Sequence, residues 1–186
     1  MMNRLTPYTI KTVSRENRPI FEHVNNELGF IPNLFGVLAH APKVLNAYTK
    51  MSAVNGSADL NQSEREVVKL ASATAHECHF CVAGHCAVID RNDLLAPDIA
   101  QALRQGDNLA DDRLNAIAAF TRAIIRSQGN VSEPEYQAFL QAGYNMENAL
   151  EVIFGVSLAT LANFANNLAQ PPLNVELEPY SWAGSK

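Results

Sequence analysis

Apolar residues in this sequence recur every three or four positions and hardly ever every second one. Helices bury that spacing on one face, whereas strands need alternation. Leu34, Val37 and Leu38 form one such stripe, and Val44, Leu45, Tyr48 and Met51 form the next. Leu114, Ile117, Ala118, Thr121, Ile124 and Ile125 form a third, ended by Gln128, Gly129 and Asn130. Helix punctuation falls between the stripes. Pro32 and Pro42 stand at helix starts, Asn61 or Ser63 can cap a start, and Pro97 and Gly106 bracket a short helix. Ser132 with Glu135 reads as a capping box, and Pro171 and Pro172 close a long apolar helix. The pattern predicts an all-α bundle of roughly seven to nine helices.

A chain of 186 residues suits one domain, and 47% hydrophobic residues suffice for its core. Within it we distinguish an N-terminal arm and first helix (1–30), a cysteine-bearing motif (60–106), a second helical half (111–170) and an extended, partly loose tail (171–186). No Lys/Arg cluster offers a footprint for nucleic acid, and net charge is −5. The first twenty residues lack the apolar stretch of a signal peptide. The most apolar stretch, ALEVIFGVSLATLANFANNL, carries Glu151, Asn163, Asn166 and Asn167, so it reads as a buried core helix rather than a membrane span. The expected setting is the cytoplasm. The 3 cysteines all lie in one run and cannot staple distant parts of a secreted fold.

That run is HECHFCVAGHC, residues 76–86. Cys78 and Cys81 are three apart and His85 lies four beyond, one stripe on a helix expected to start near Ala75 to Glu77. A helix N-terminus favours the thiolate, an imidazole one turn away can take its proton, and a second thiol can resolve an oxidised sulfur as a disulfide. Structural zinc through Cys78, Cys81, His85 and Cys86 is an alternative. Cys86, however, lies about 140° round the helix from Cys81, at about 100° per residue, which suits packing better. A pair of inert buried cysteines is a further alternative. Glu66, twelve residues before Cys78 on the preceding helix, can orient His85 and relay its proton.

The spacing E-x₁₁-C-x₂-C-x₃-H in EREVVKLASATAHECHFCVAGHC resembles the AhpD-like alkylhydroperoxidase motif of the carboxymuconolactone decarboxylase superfamily. Glu66, Cys78, Cys81 and His85 all match, and the likeness runs over roughly residues 30 to 174. The resemblance implies an AhpD-like helical fold assembled as trimers or hexamers, with no cofactor. It implies reduction of a hydroperoxide substrate at the expense of a thiol or dithiol electron donor. By that likeness Cys81 attacks peroxide, Cys78 closes the disulfide, His85 removes the proton and Glu66 supports His85. Redox members also carry a histidine just before the second cysteine, where this chain has Phe80; His79 is one place earlier. A redox-sensing or assembly protein of the same fold is the non-catalytic alternative.

Other residues have plainer expectations. His76 caps a turn, His23 is solvated, and His40 belongs to a loop or interface. Tyr48, Phe35 and Met51 serve the core or line a channel. Trp182, in the tail, is expected to dock on a neighbouring subunit.

Overall fold

The computed structural model describes residues 4–184. Residues 1–3 of the expected arm and 185–186 of the tail lie outside the described residues. Nine α-helices and no strands occur among the described residues. They are α1 (Arg18–Leu28), α2 (Asn33–Leu38), α3 (Pro42–Gly56), α4 (Gln62–Ala75), α5 (His79–Arg91), α6 (Pro97–Gln105), α7 (Asp112–Ser127), α8 (Glu133–Gln141) and α9 (Met146–Ala169). A short 3-10 helix, Val175–Tyr180, follows.

α4 is the axis of the bundle, with α5, α6, α7 and α9 packed round it. Its start is fixed by a reciprocal cap: Asn61 Oδ1 accepts from the Glu64 amide at 3.0 Å, and Glu64 Oε2 accepts from the Asn61 amide at 2.9 Å. Val67, Val68, Leu70, Ala71 and Ala73 are then buried on all sides. Burying a Val or Leu side chain contributes about 1.5–3 kcal/mol, so this helix anchors the core. Such a position leaves no water for Glu64, and its second oxygen accepts from Arg113 Nε at 2.9 Å and the Tyr144 hydroxyl at 3.0 Å. Glu64 therefore ties α4 to α7 and the start of α9. Beside it Phe120, Phe139 and Tyr144 stack, with Arg113 over the Tyr144 ring.

The N-terminal segment is irregular and turns at Thr9–Thr12. It is pinned where the Tyr8 amide donates to the Gly36 carbonyl at 3.1 Å. A Cβ at Gly36 would strike the Tyr8 carbonyl and the Pro7 side chain. Gly36→Ala is therefore expected to cost about 1–3 kcal/mol, read as a lower denaturant midpoint.

The expectation of a loose, extended tail is corrected. Asn174 accepts from the Asn33 amide at 2.8 Å and donates to the Ile31 carbonyl at 3.0 Å. Leu177 is buried with Phe30, Ala83 and Ala87, and the Tyr180 hydroxyl donates to Asp90 at 2.6 Å. Trp182 docks on its own chain: its ring packs on His79 and its carbonyl accepts from His79 Nδ1–H at 2.7 Å. The 3-10 geometry around Pro179 brings Leu177 inward against α5, a turn that helical spacing does not reveal.

The expectation of a buried α9 is corrected in part. One side of this helix packs on α2, α3, α4, α5 and α7. The other exposes Met146, Leu150, Phe164 and Leu168, the last of these 68% accessible. By length and composition α9 is long and apolar enough to cross a membrane. It is apolar round most of its circumference, and α4 and its neighbours cover only one side.

Candidate active site

The α4–α5 hairpin builds the site. His76 ends α4, Glu77 adopts the left-handed conformation (φ 50°), and the Cys78 amide donates back to the Ala73 carbonyl at 2.9 Å. This tight reversal makes Cys78 the N-cap of α5 and places Cys81 and His85 on the first two turns. All three cysteines are free thiols and buried. Hydrogen bonds from the Cys81 thiol, the first amides of α5 and Asn166 hold the Cys78 thiol below its ordinary value, against the opposing effect of burial. Burial, then the neighbouring Cys78 sulfur, pushes Cys81 well above it.

Glu66 projects from α4 to α5. Its Oε2 lies 2.8 Å from His85 Nδ1 and its Oε1 2.9 Å from Lys69 Nζ. Burial works to raise this carboxyl, but the His85 ring and the Lys69 ammonium hold it at about 2. An ionised carboxylate only accepts, so His85 Nδ1 carries the hydrogen and Nε2 is the basic ring atom. The charge of Glu66 has a consequence for stability. A carboxyl held below its unfolded value of 4.5 stabilises fully above that pH and loses the effect as pH falls towards about 2. Glu66→Gln is expected to lower stability by roughly 2 kcal/mol at neutral pH. The gap to wild type should close below about pH 4.5 in thermal melts.

A cavity of about 210 Å³ opens on Cys81 and His85. Phe30, Leu34, Phe35, Phe80, Val88 and Leu177 are among its walls. Tyr48 also lines it. Burial, followed by the charges of Cys81 and Glu66, keeps this phenol protonated well beyond its ordinary range. Asn166, buried on α9, donates its Nδ2–H to Cys81 Sγ at 3.2 Å.

The structure thus brings all four residues singled out in the sequence to one locus. His79 turns to Trp182 instead, and Phe80 walls the cavity, so no second histidine serves the cysteine pair. Cys86 is buried elsewhere on α5, its thiol pushed up to about 11 by burial. Among the described residues no three His, Cys, Asp or Glu side chains converge as metal ligands, so the zinc alternative has no ligand set. His76 bonds Asn163 and carries no part of the site. Two neighbours were not assigned to the site by sequence reasoning. Lys69 was detectable from its i,i+3 spacing to Glu66. Asn166 was detectable as an amide on an apolar helix that must find a partner. Tyr48 stood between core and channel in the sequence because both share the same periodicity, and the structure places it, with Phe35, on the cavity.

Fold and site together define an all-helical protein that carries a dithiol beside a carboxylate–imidazole pair. Residues 42–123 match the model of the carboxymuconolactone decarboxylase family. The matched segment contains Glu66, Cys78, Cys81 and His85, while Asn166 lies beyond it. Similar solved structures include the AhpD core of an uncharacterized peroxidase-related protein from Ralstonia eutropha JMP134. It is 23% identical, with a TM-score of 0.84 over 95% of each chain. A peroxidase-related protein from Silicibacter sp. TM1040 is 20% identical, with a TM-score of 0.78 over 89% of this chain and 88% of that one. The debrominase Bmp8, in complex with 2,3,4-tribromopyrrole, is 16% identical, with a TM-score of 0.80 over 97% of this chain and 96% of that one. At these identities the likeness shows the fold. No curated protein matches the chain significantly in sequence. Over residues 42–123 the chain is similar to the carboxymuconolactone decarboxylase family, and its whole length shares the AhpD-like fold.

Proposed function

We propose that this chain is a thiol-dependent peroxidase that cycles Cys78 and Cys81 between dithiol and disulfide. The observation that carries the reading is a single cavity onto which Cys81 and His85 both open, with His85 held by the buried Glu66. Cys81 gives its proton to His85 Nε2, and the thiolate attacks the outer oxygen of a hydroperoxide. The O–O bond breaks, Cys81 becomes a sulfenic acid, and the alkoxide takes a proton from His85 to leave as an alcohol. Tyr48 supplies a neutral hydroxyl that can hydrogen-bond the departing oxygen. The Cys78 thiolate then attacks Cys81 sulfur, forming the disulfide, and the expelled hydroxide takes up one proton to leave as water. Two electrons from a dithiol, or from two monothiols, restore the pair. The cytoplasm, where thiol donors are kept reduced, suits this cycle.

Hydroperoxide loss with dithiothreitol as donor tests the reading. One hydroperoxide should disappear for each dithiol oxidised; no loss above the protein-free rate would reject it.

Assembly as a homo-oligomer, trimeric or hexameric, goes with this reading and would cover the apolar side of α9. Leu168→Glu is expected to shift the protein to smaller species in sedimentation; an unchanged distribution would remove that face from the interface. One contact also favours a non-catalytic second reading, a redox sensor. Asn166 bonds Cys81 from α9, the helix that exposes Phe164 and Leu168. Oxidation that alters assembly without turnover would select it.

A further inference from the structure

We infer that the cavity beside Cys81 binds an amphipathic monoanion: an organic hydroperoxide whose apolar body fills the cavity and whose carboxylate rests on Arg91. The reactive end of this substrate depends on the peroxidase reading; its binding does not. Hydrogen peroxide needs no such volume. Some 210 Å³ exceeds the roughly 150 Å³ that already accepts a benzene ring. Cys81, His85 and Val88 form one stripe of α5, continued by Asn92 at its C-cap, with Gly84 and Arg91 beside it, and all of them line the cavity. From Cys81 to Arg91 the helix rises about 15 Å at about 1.5 Å per residue. The oxidisable sulfur and the cation therefore stand at opposite ends.

Charge supports the anion. Arg91 is the one cation among the lining residues, and no carboxylate lines the cavity. Its guanidinium lies 5.6 Å from the centre of the Phe30 ring and makes no ion pair among the described residues. The adjacent Asp90 accepts instead from Tyr180. Gly84 supports the volume independently. Glycine in a helix interior costs about 1 kcal/mol against alanine, and a Cβ here would meet nothing within 4 Å. Its absence keeps the cavity floor clear.

Octanoate and 1-octanol, titrated calorimetrically into the whole protein, test the site without turnover. Octanoate is expected to bind wild type, and Arg91→Gln to weaken it about tenfold, the scale of one charge-assisted hydrogen bond. The same variant should leave 1-octanol unchanged. Gly84→Val should weaken both ligands while keeping the wild-type circular dichroism spectrum. Octanoate should also compete with cumene hydroperoxide in the consumption assay. Equal octanoate affinity in wild type and Arg91→Gln, or no binding to wild type, would overturn the inference. Octanoate binding as described with no hydroperoxide consumed would support the site and reject the peroxidase reading alone.

Discussion

Cys81→Ser is expected to lower hydroperoxide consumption by at least about 10³-fold, with the fold unchanged. Losing a nucleophile removes the covalent route altogether, and the remaining members of the site cannot replace it. Serine keeps the shape and can still accept from Asn166, so the far-ultraviolet spectrum and melting curve should match wild type. The steady-state rate with dithiothreitol as donor is the measurement. A fall of less than tenfold would mean that Cys78, the sulfur with the lowered thiol value, performs the first attack.

His85→Gln is expected to cost about 10²–10⁴-fold at neutral pH, the usual contribution of a positioned acid–base group. The deficit should be steeply pH-dependent, and its sign follows from Cys81. Burial pushes that thiol above its ordinary value, so without the imidazole its thiolate fraction grows only as pH rises. The ratio of wild-type to variant rates should therefore shrink towards alkaline pH. Glu66→Gln should show a smaller loss with the same pH trend, because Glu66 positions the ring and fixes its tautomer rather than touching the peroxide. A variant deficit independent of pH would argue that His85 serves packing alone.

Much of this architecture was legible because it rests on local rules. Asn61 caps α4, Pro97 opens α6 and Gly106 closes it in the left-handed conformation, each where backbone chemistry requires. The α4–α5 reversal was legible too, because Glu66 and the CxxC run are held at a fixed helical spacing. What escaped depends on contacts far apart in sequence. The tail is held by isolated hydrogen bonds at Asn174, Tyr180 and Trp182, and no period marks them. Asn166 lies 85 positions from the sulfur it bonds. The exposed side of α9 was hidden for a different reason. Hydrophobicity on every side of a helix predicts burial, but not whether the cover comes from the same chain. Glu64 and Glu66 make the same point at closer range. Two carboxylates on one turn look alike in sequence, yet Arg113 and Tyr144 occupy the first while His85 and Lys69 occupy the second.

The dithiol cycle itself is tested most directly by mapping the thiols after one equivalent of hydroperoxide, without donor, by peptide mass spectrometry. The site geometry predicts a disulfide between Cys78 and Cys81 within one peptide, two hydrogens lighter than the reduced form, with Cys86 still free. Cys78 and Cys81 both recovered as free thiols, or Cys81 trapped as a sulfenic acid beside a free Cys78, would contradict it.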